Sequence, residues 1–295
     1  MTKRRSAAKG AGRPATLPDV LTSNHRKDMV MSTTLTPSAP VSPRETNPVA
    51  GASPRLLARM AGVLYLINIL GGAFAIGIVP AMLIVPDPAT TFHNIQTHEL
   101  LYRASLAVHV VVTLTNIPLA VIFYELFKVV SRRLALLDAF FILVATAIEA
   151  AGLVNQFTPL ALLGNGHYTS ALPATQVHTL AYLPLDLSSM DYNVHTVFFG
   201  FDILLMAYLV YRSTFLPRAI AVLLAIDAVA YLIYSFADFL APGFADSLVP
   251  WIQFPALLGE GSLCLWLLVV GVNVERWKQQ ASLALRMQSA SLEAL

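Results

Sequence analysis

Six long runs of apolar residues, separated by shorter polar stretches, dominate the pattern of hydrophobic and polar positions along this chain. Each run covers about 20 residues, the length that a helix needs to cross roughly 30 Å of hydrocarbon. The runs lie at 59–80, 104–127, 134–157, 192–211, 219–240 and 251–273. We therefore predict an all-α, polytopic membrane helix bundle of six transmembrane helices. The predicted partner of its outer surface is the lipid bilayer.

The composition agrees with this prediction. Of the 295 residues, 56% are hydrophobic and 12% are charged, whereas a soluble domain has about 25% charged residues. The excess apolar surface must face something other than water, and lipid meets that need. The single cysteine, Cys264, lies in the last apolar run, which excludes a disulfide framework and a metal site built from several cysteines.

Residues 1–53 differ in composition from the rest of the chain. They are rich in Ser, Thr, Pro and Ala, carry scattered positive charge and show no apolar period, so we predict a disordered tail. The basic residues are few and lack interleaved aromatics, which argues against a nucleic-acid partner. Met29 and Met31 are alternative starts to Met1. Residues 54–273 form the predicted membrane domain. For the tail at 274–295, a helix on the membrane surface and a merely solvated helix or frayed tail both stay open.

Lysine and arginine are concentrated on one side of the predicted bundle. Both tails and the turns at 128–133 and 212–218 are basic, whereas the opposite loops contain Arg103 as their one basic residue, beside several acids. Short basic loops stay in the cytoplasm. The sequence therefore predicts that both termini are cytoplasmic. It does not indicate an oligomeric state.

Acidic residues inside the apolar runs are the main candidates for chemistry, because ionisable side chains in a bilayer are costly and are functional by default. By their positions, Glu149, Asp202 and Glu260 lie near the middle of their helices, and Asp227 lies nearer the inner side. No Lys or Arg of the sequence is placed deep enough to pair with the three central acids, so protons are expected to neutralise them. All four are predicted sites for a proton or a small solute, with Asp202 and Glu260 as the leading pair.

Two structural interpretations stand beside the functional one. Glu125, Asp138 and Asp238 lie near helix ends, where they can reach water or the basic turns, so we interpret them as structural. The central acids could also serve to hold the helices together, through hydrogen bonds from residues such as Tyr65 and Tyr231.

The histidines are distributed unevenly, with six of the seven in the outer loops or the outer turns of the predicted helices. Asp191 and His195 are four residues apart and share a helix face. Imidazole and carboxylate groups suit zinc or a pH sensor. No paired-histidine motif is present, and the spacing does not fix which histidines converge. Asp191 and His195 are therefore weak candidates for a metal site, and no cofactor is predicted.

Motifs for phosphate binding and nucleophilic hydrolysis are missing. The chain has no phosphate-cradling glycine loop, no Walker sequence and no Gly-x-Ser-x-Gly. This disfavours an ATP-driven pump and a kinase, and favours a protein that is not an enzyme. Three hypotheses stay open: a proton-coupled transporter of a small solute or ion, a non-catalytic membrane sensor or accessory protein, and a metal-dependent membrane hydrolase with an outer-face site of His and Asp residues.

Several short motifs recur in one known family. They are RMAGVLY at 59–65, FFG at 198–200, YRSTFLPR at 211–218, LAPG at 240–243, GE at 259–260 and WLLVVGVN at 266–273. With these, the region 55–273 resembles the bacterial membrane-protein family catalogued as domain of unknown function 4386. The resemblance implies a bacterial inner-membrane protein with several spans. It brings no established activity, so no functional residues are carried over from it.

Overall fold

The computed structural model describes residues 53–164 and 169–293. All of them belong to the second of two units into which the chain divides, Asn47–Leu295. Within these residues, six helical stretches are long and apolar enough to cross a membrane. They are numbered here as the first to the sixth span: Pro54–Leu83, Glu99–Phe127, Arg132–Gly164, Ala174–Arg212, Arg218–Leu240 and Trp251–Val269. The predicted all-α bundle of six spans is confirmed. The tail predicted for 1–53 and its alternative starts lie outside the described residues, apart from Ser53.

The first span is built from three helical segments in sequence. Pro54–Gly72 is an α-helix, and the Ser53 hydroxyl caps it by accepting a hydrogen bond from a backbone N–H of the first turn. Ala73–Ile78 is π-helical, and Val79–Leu83 returns to α-helix. Pro80 lacks an N–H group and its ring clashes with the carbonyl four residues earlier, so the wider π turn before it accommodates the proline without ending the span.

The remaining helices follow with short connections. In chain order they are Pro88–Thr97, Glu99–Phe127, Arg132–Asn155, Thr158–Gly164, Ala174–Arg212, Arg218–Leu240, Pro242–Val269 and Val274–Glu293. Asp87 caps the first of these. The Thr90 hydroxyl and the Thr90 N–H both donate to the Asp87 carboxylate, which holds the pKa of that carboxyl below its usual range.

Three predicted loops proved to be largely helical. The fourth span begins at Ala174 and not near Tyr192. Residues 174–191 of the loop predicted at 158–191 are therefore part of this span. Its added part buries Val177, Ala181 and Leu185, which repeat every four residues along one face. The exposed side mixes polar residues such as Thr179 and Asp186 with leucines such as Leu183, so residues 174–191 do not form a uniformly apolar run. The predicted loops at 85–103 and 241–250 likewise contain helix.

The six spans pack in a closed ring. Each span packs against the next one in the chain, and the ring closes where the first span packs against the sixth. The first and second spans are antiparallel, since Tyr65 contacts Phe123 while the later residue Asn68 contacts the earlier residue Asn116. Side chains that face inward from any span therefore meet at the centre of one bundle, and this arrangement brings acids from different spans together.

The C-terminal helix folds back onto one end of this ring. The chain reverses at Gly271, whose φ of +74° is readily adopted only by glycine. Trp277 then donates its indole N–H to the Leu126 carbonyl at 2.9 Å, and the Gln280 side chain accepts from the backbone and hydroxyl of Thr214. This end of the bundle, with the turns at 128–131 and 213–217, is called the tail end below, and the opposite end the far end. Val274–Glu293 is helical, and a helix on the membrane surface and a solvated helix are both compatible with this finding.

Candidate functional site

Two aspartates from neighbouring spans face each other inside the bundle. Asp138 of the third span and Asp202 of the fourth lie within hydrogen-bonding reach of one another, with exposed fractions of 3% and 6%. A hydrogen bond between two carboxyl groups requires a hydrogen on one of them, since an ionised carboxylate can only accept. When their carboxyl groups are hydrogen-bonded, Asp138 and Asp202, called the carboxyl pair below, hold at least one proton between them.

A small cavity, lined mostly by apolar residues, lies beside the carboxyl pair. Its volume is about 30 Å³, and its polar lining consists of both aspartates, Tyr65, Asn68 and Asn116. That volume holds one or two water molecules. Asn68 donates its amide to the Asn116 carbonyl oxygen, which ties the first span to the second next to the cavity. The pair is thus out of contact with bulk water but beside a space that water molecules fit.

Glu260 of the sixth span is held by two tyrosines from other spans. The hydroxyls of Tyr65 and Tyr231 each donate to one of its carboxyl oxygens at 2.9 Å. These three residues, called the Glu260 clamp below, join the first, fifth and sixth spans. Glu260 is also close enough to Asp202 to interact with it electrostatically. The two leading acids of the sequence analysis therefore do share one region of the core.

Asp227 of the fifth span is the most buried of these acids, with 1% of its surface exposed. Neither of its carboxyl oxygens has a hydrogen-bond partner within the described part of the chain. Its side chain packs against Gly259 of the sixth span, where a Cβ atom would approach the Asp227 Cβ to 3.0 Å. Asp227 also interacts electrostatically with Glu260. It belongs to the same acidic centre but lies outside the hydrogen-bonded clamp.

Glu149 is separate from this centre. Its Oε1 atom lies 3.1 Å from Nε2 of His109 on the second span, and the two side chains are 4% and 3% exposed. The expectation that Glu149 lacks a partner was wrong, because His109 lies one helix away at the same level. His109 had been placed in an outer turn; it lies ten residues inside the helix that begins at Glu99, and it is buried.

The weak metal candidates point to different partners. His195 makes a 2.9 Å hydrogen bond from Nδ1 to the Ala145 carbonyl, and Asp191 accepts a hydrogen bond from Asn155. Ala145 and Asn155 are ten residues apart on the third span, which is about 15 Å of helix. In the two described ranges, 53–164 and 169–293, no three residues of the types His, Cys, Asp and Glu are grouped so as to hold a metal ion. His167 lies outside those ranges.

Asp138 is the site residue that the sequence analysis misinterpreted. It was assigned to a helix end with access to water, yet it is buried against Asp202. A local signal distinguishes it from Glu125, which was assigned in the same way. Glu125 has Lys128 three residues away and binds it at 2.6 Å. Asp138 has no basic residue three or four positions away on its helix, so it has no local ion-pair partner. Its side chain faces Asp202 of the neighbouring span instead.

The chain also matches the model of a known protein family. The model of the family described as Domain of unknown function (DUF4386) matches residues 60–271. Searches of curated proteins and of solved structures found no match. The matched region includes the carboxyl pair, the Glu260 clamp and the pair of His109 and Glu149. Because it also covers well over half of the chain, this multi-pass membrane protein belongs to the DUF4386 family.

Proposed function

We propose that this protein is a proton-coupled transporter of a small solute or ion, and that the carboxyl pair is its coupling site. One observation carries the proposal: Asp138 and Asp202, buried on neighbouring spans of a membrane protein, lie within hydrogen-bonding reach of each other. Ionisable groups inside a membrane bundle are expensive to keep, and by default they mark ion pathways or proton relays.

The carboxyl pair is suited to couple a proton to a change of shape. With one shared proton, the hydrogen bond holds the third and fourth spans together. Without that proton, two negative charges face each other in a medium of low dielectric constant and repel. Proton release therefore favours separation of the two spans, and separation is the kind of movement by which transporters open toward one side of the membrane.

Transport by this protein requires the spans to move, because the cavity beside the carboxyl pair is smaller than a solute. About 30 Å³ accommodates one or two water molecules, whereas pockets for small molecules measure about 300–1,000 Å³. A solute therefore requires the spans to move apart, and the proton on the carboxyl pair would control that movement. Glu260 and Asp227 line the region that such an opening would reach, and they are the proposed contacts for a cationic or hydrogen-bonding solute.

We place the protein in the bacterial inner membrane, with both termini in the cytoplasm. Basic residues are concentrated at the tail end of the described chain, whereas Arg103 at the far end is paired with Glu99 at 2.7 Å. Cysteines introduced one at a time test the orientation. In intact cells, a membrane-impermeant maleimide is expected to label Ser247→Cys at the far end, and to label Gln279→Cys only after permeabilisation. The buried native Cys264 serves as the unlabelled background. The reverse pattern would contradict the proposed topology.

The proton coupling is tested by a thermal-shift screen of purified protein against small solutes and monovalent ions, at about pH 5.5 and about pH 7.5. A ligand at 100 times its Kd adds about 2.7 kcal/mol to the apparent stability. We expect a ligand whose shift differs strongly between the two pH values. Asp202→Asn should bind it with the same shift at both, because the amide cannot take up or release the proton.

Glu125→Gln is the matched control for that experiment, since it removes an acid that is bound to Lys128 outside the centre. It should keep the pH difference of the wild-type protein. A pH difference that survives in Asp202→Asn contradicts the proposal. The small cavity favours one second candidate, a non-catalytic sensor or accessory protein. That candidate is supported if no solute shifts the wild-type protein, while Asp202→Asn alters how its own stability depends on pH.

A further inference from the structure

We propose that His109 and Glu149 form a second proton site, and that a line of polar side chains between the second and third spans connects it to the carboxyl pair. This inference rests on the proposed function, because it assigns the route by which a proton reaches the coupling site from the far end of the bundle.

Several buried polar atoms lie around the pair of His109 and Glu149. Nδ1 of His109, Oε2 of Glu149 and Oγ1 of Thr146 are all buried, and none has a hydrogen-bond partner among the described residues. Burying a polar atom without a partner is costly, and native proteins seldom do it without a reason. Thr146 and Glu149 are three residues apart, so they lie on the same face of the third span. These three atoms are free to exchange a proton or to bind water.

The second and third spans each carry a stripe of buried residues along one face. On the third span, Asp138, Ile142, Thr146 and Glu149 repeat at helical spacing and are all buried. Three of the four are polar. This face of the third span runs inward from Glu149 to the carboxyl pair without turning toward the lipid.

The second span carries the matching stripe. His109, Thr113 and Asn116 are buried along one face of that helix. The hydrogen bond between His109 and Glu149 fixes the register of the two antiparallel spans. Asn116 lies seven residues from His109, and Ile142 lies seven residues from Glu149, in both cases toward the tail end and about 10 Å along the helix. Both residues line the cavity beside the carboxyl pair. The two stripes together are called the polar seam.

These groups can pass a proton from His109 to the carboxyl pair. When Nε2 of His109 carries the hydrogen that binds Glu149, Nδ1 is free to accept a proton arriving from the far end. The Nε2 proton then moves to Glu149, and the imidazole stays neutral. Glu149 next gives up a proton through the Thr146 hydroxyl, which accepts one proton as it donates its own, and through water in the cavity. The proton ends on a carboxylate of the carboxyl pair, and Glu149 returns to its ionised form.

Other titratable groups also face this pair. From the fourth span, Tyr192 interacts electrostatically with Glu149. His195, also on the fourth span, uses Nδ1 to bind the Ala145 carbonyl about one turn below Glu149. A hydrogen bond to that carbonyl orients the His195 ring, whereas His109 keeps Nδ1 unoccupied. His109 is therefore the histidine of the two that is arranged to pass on a proton.

Infrared spectroscopy after a rapid pH change tests the polar seam on the full-length protein in lipid vesicles. The signal is the carbonyl band of the protonated carboxyl pair, identified as the component that Asp202→Asn removes. In Glu149→Gln we expect this component to reach its wild-type amplitude about tenfold more slowly or worse, in line with the loss of an acid–base group. Thr146→Val, which removes only the hydroxyl, should slow it too, and Glu125→Gln should not.

The outcomes separate this inference from the proposed function. If the wild-type protein has no carboxyl band that responds to pH and depends on Asp202, the coupling site itself is refuted. If the band is present and changes at the wild-type rate in both Glu149→Gln and Thr146→Val, the carboxyl pair stands and the polar seam is refuted. A seam with only a structural role would lower stability in these variants without changing the rate.

Discussion

Gly62→Ala is expected to destabilise this protein by about 1–3 kcal/mol, the cost of forcing extra atoms into a tightly packed core. A Cβ at Gly62 would lie 2.8 Å from the backbone nitrogen of Leu268 and 3.2 Å from the backbone carbon of Leu267. These are backbone atoms of the sixth span, so no rotation of a side chain relieves the clash. The first and sixth spans would have to move apart where they close the ring.

The same change at Gly72 provides the matched control. Nothing lies within 4 Å of a Cβ built there, and the residue has ordinary helical backbone angles. Gly72→Ala should therefore be neutral or should stabilise by up to about 1 kcal/mol, the helix preference of alanine over glycine. The free energy of unfolding in mixed detergent micelles measures both. Equal stability of the two variants would contradict the close contact at Gly62.

This contact also affects the site. Gly62 lies three residues before Tyr65, which donates to Glu260, and the Gly62 carbonyl accepts a weak hydrogen bond from the Cys264 thiol at 3.5 Å. Ala58 and Gly62 form a pair of small residues four apart, a pattern that lets membrane helices approach closely. A wider gap here would stretch the Glu260 clamp as well as the ring.

Glu260→Ala is the second change with a large expected effect, a loss of about 1–3 kcal/mol. The substitution leaves the buried hydroxyls of Tyr65 and Tyr231 without their acceptor, and each orphaned group costs about 1–3 kcal/mol in general. Measured hydrogen bonds between membrane helices are weaker, about 0.6 kcal/mol on average, and removal of a buried carboxyl offsets part of the loss. Glu260→Gln keeps one acceptor oxygen and should lose about half as much.

A second pair of changes shows whether the loss comes from the hydroxyls. Adding Tyr65→Phe and Tyr231→Phe to Glu260→Ala removes the orphaned groups, so the triple variant should regain part of the lost stability. Unfolding in mixed micelles gives each value. If the alanine and glutamine variants were equally stable, and the tyrosine changes gave no recovery, Glu260 would not be the anchor that joins the first, fifth and sixth spans.

The position of the candidate acids inside the bundle was predictable from the amino-acid sequence, and the errors of that prediction have specific causes. Asp202 and Glu260 were identified because a long apolar run with one acid in its middle leaves that acid no route to water. Asp138 was missed because distance from a helix end is a poor measure of burial when a neighbouring span covers that end. Glu149 was wrongly considered unpaired because its partner is a histidine 40 residues away, and the sequence contains no sign of which helix faces meet.

The sequence by itself determined the six-span membrane bundle, because the apolar length needed to cross a bilayer is a local property of each run. It also determined the family and the side on which basic residues collect. Only the tertiary structure decided which acids lie next to each other, which glycine packs against the backbone of a neighbouring helix and where the fourth span begins. These features depend on the register and rotation of one helix against another, which are set by packing between residues far apart in the chain.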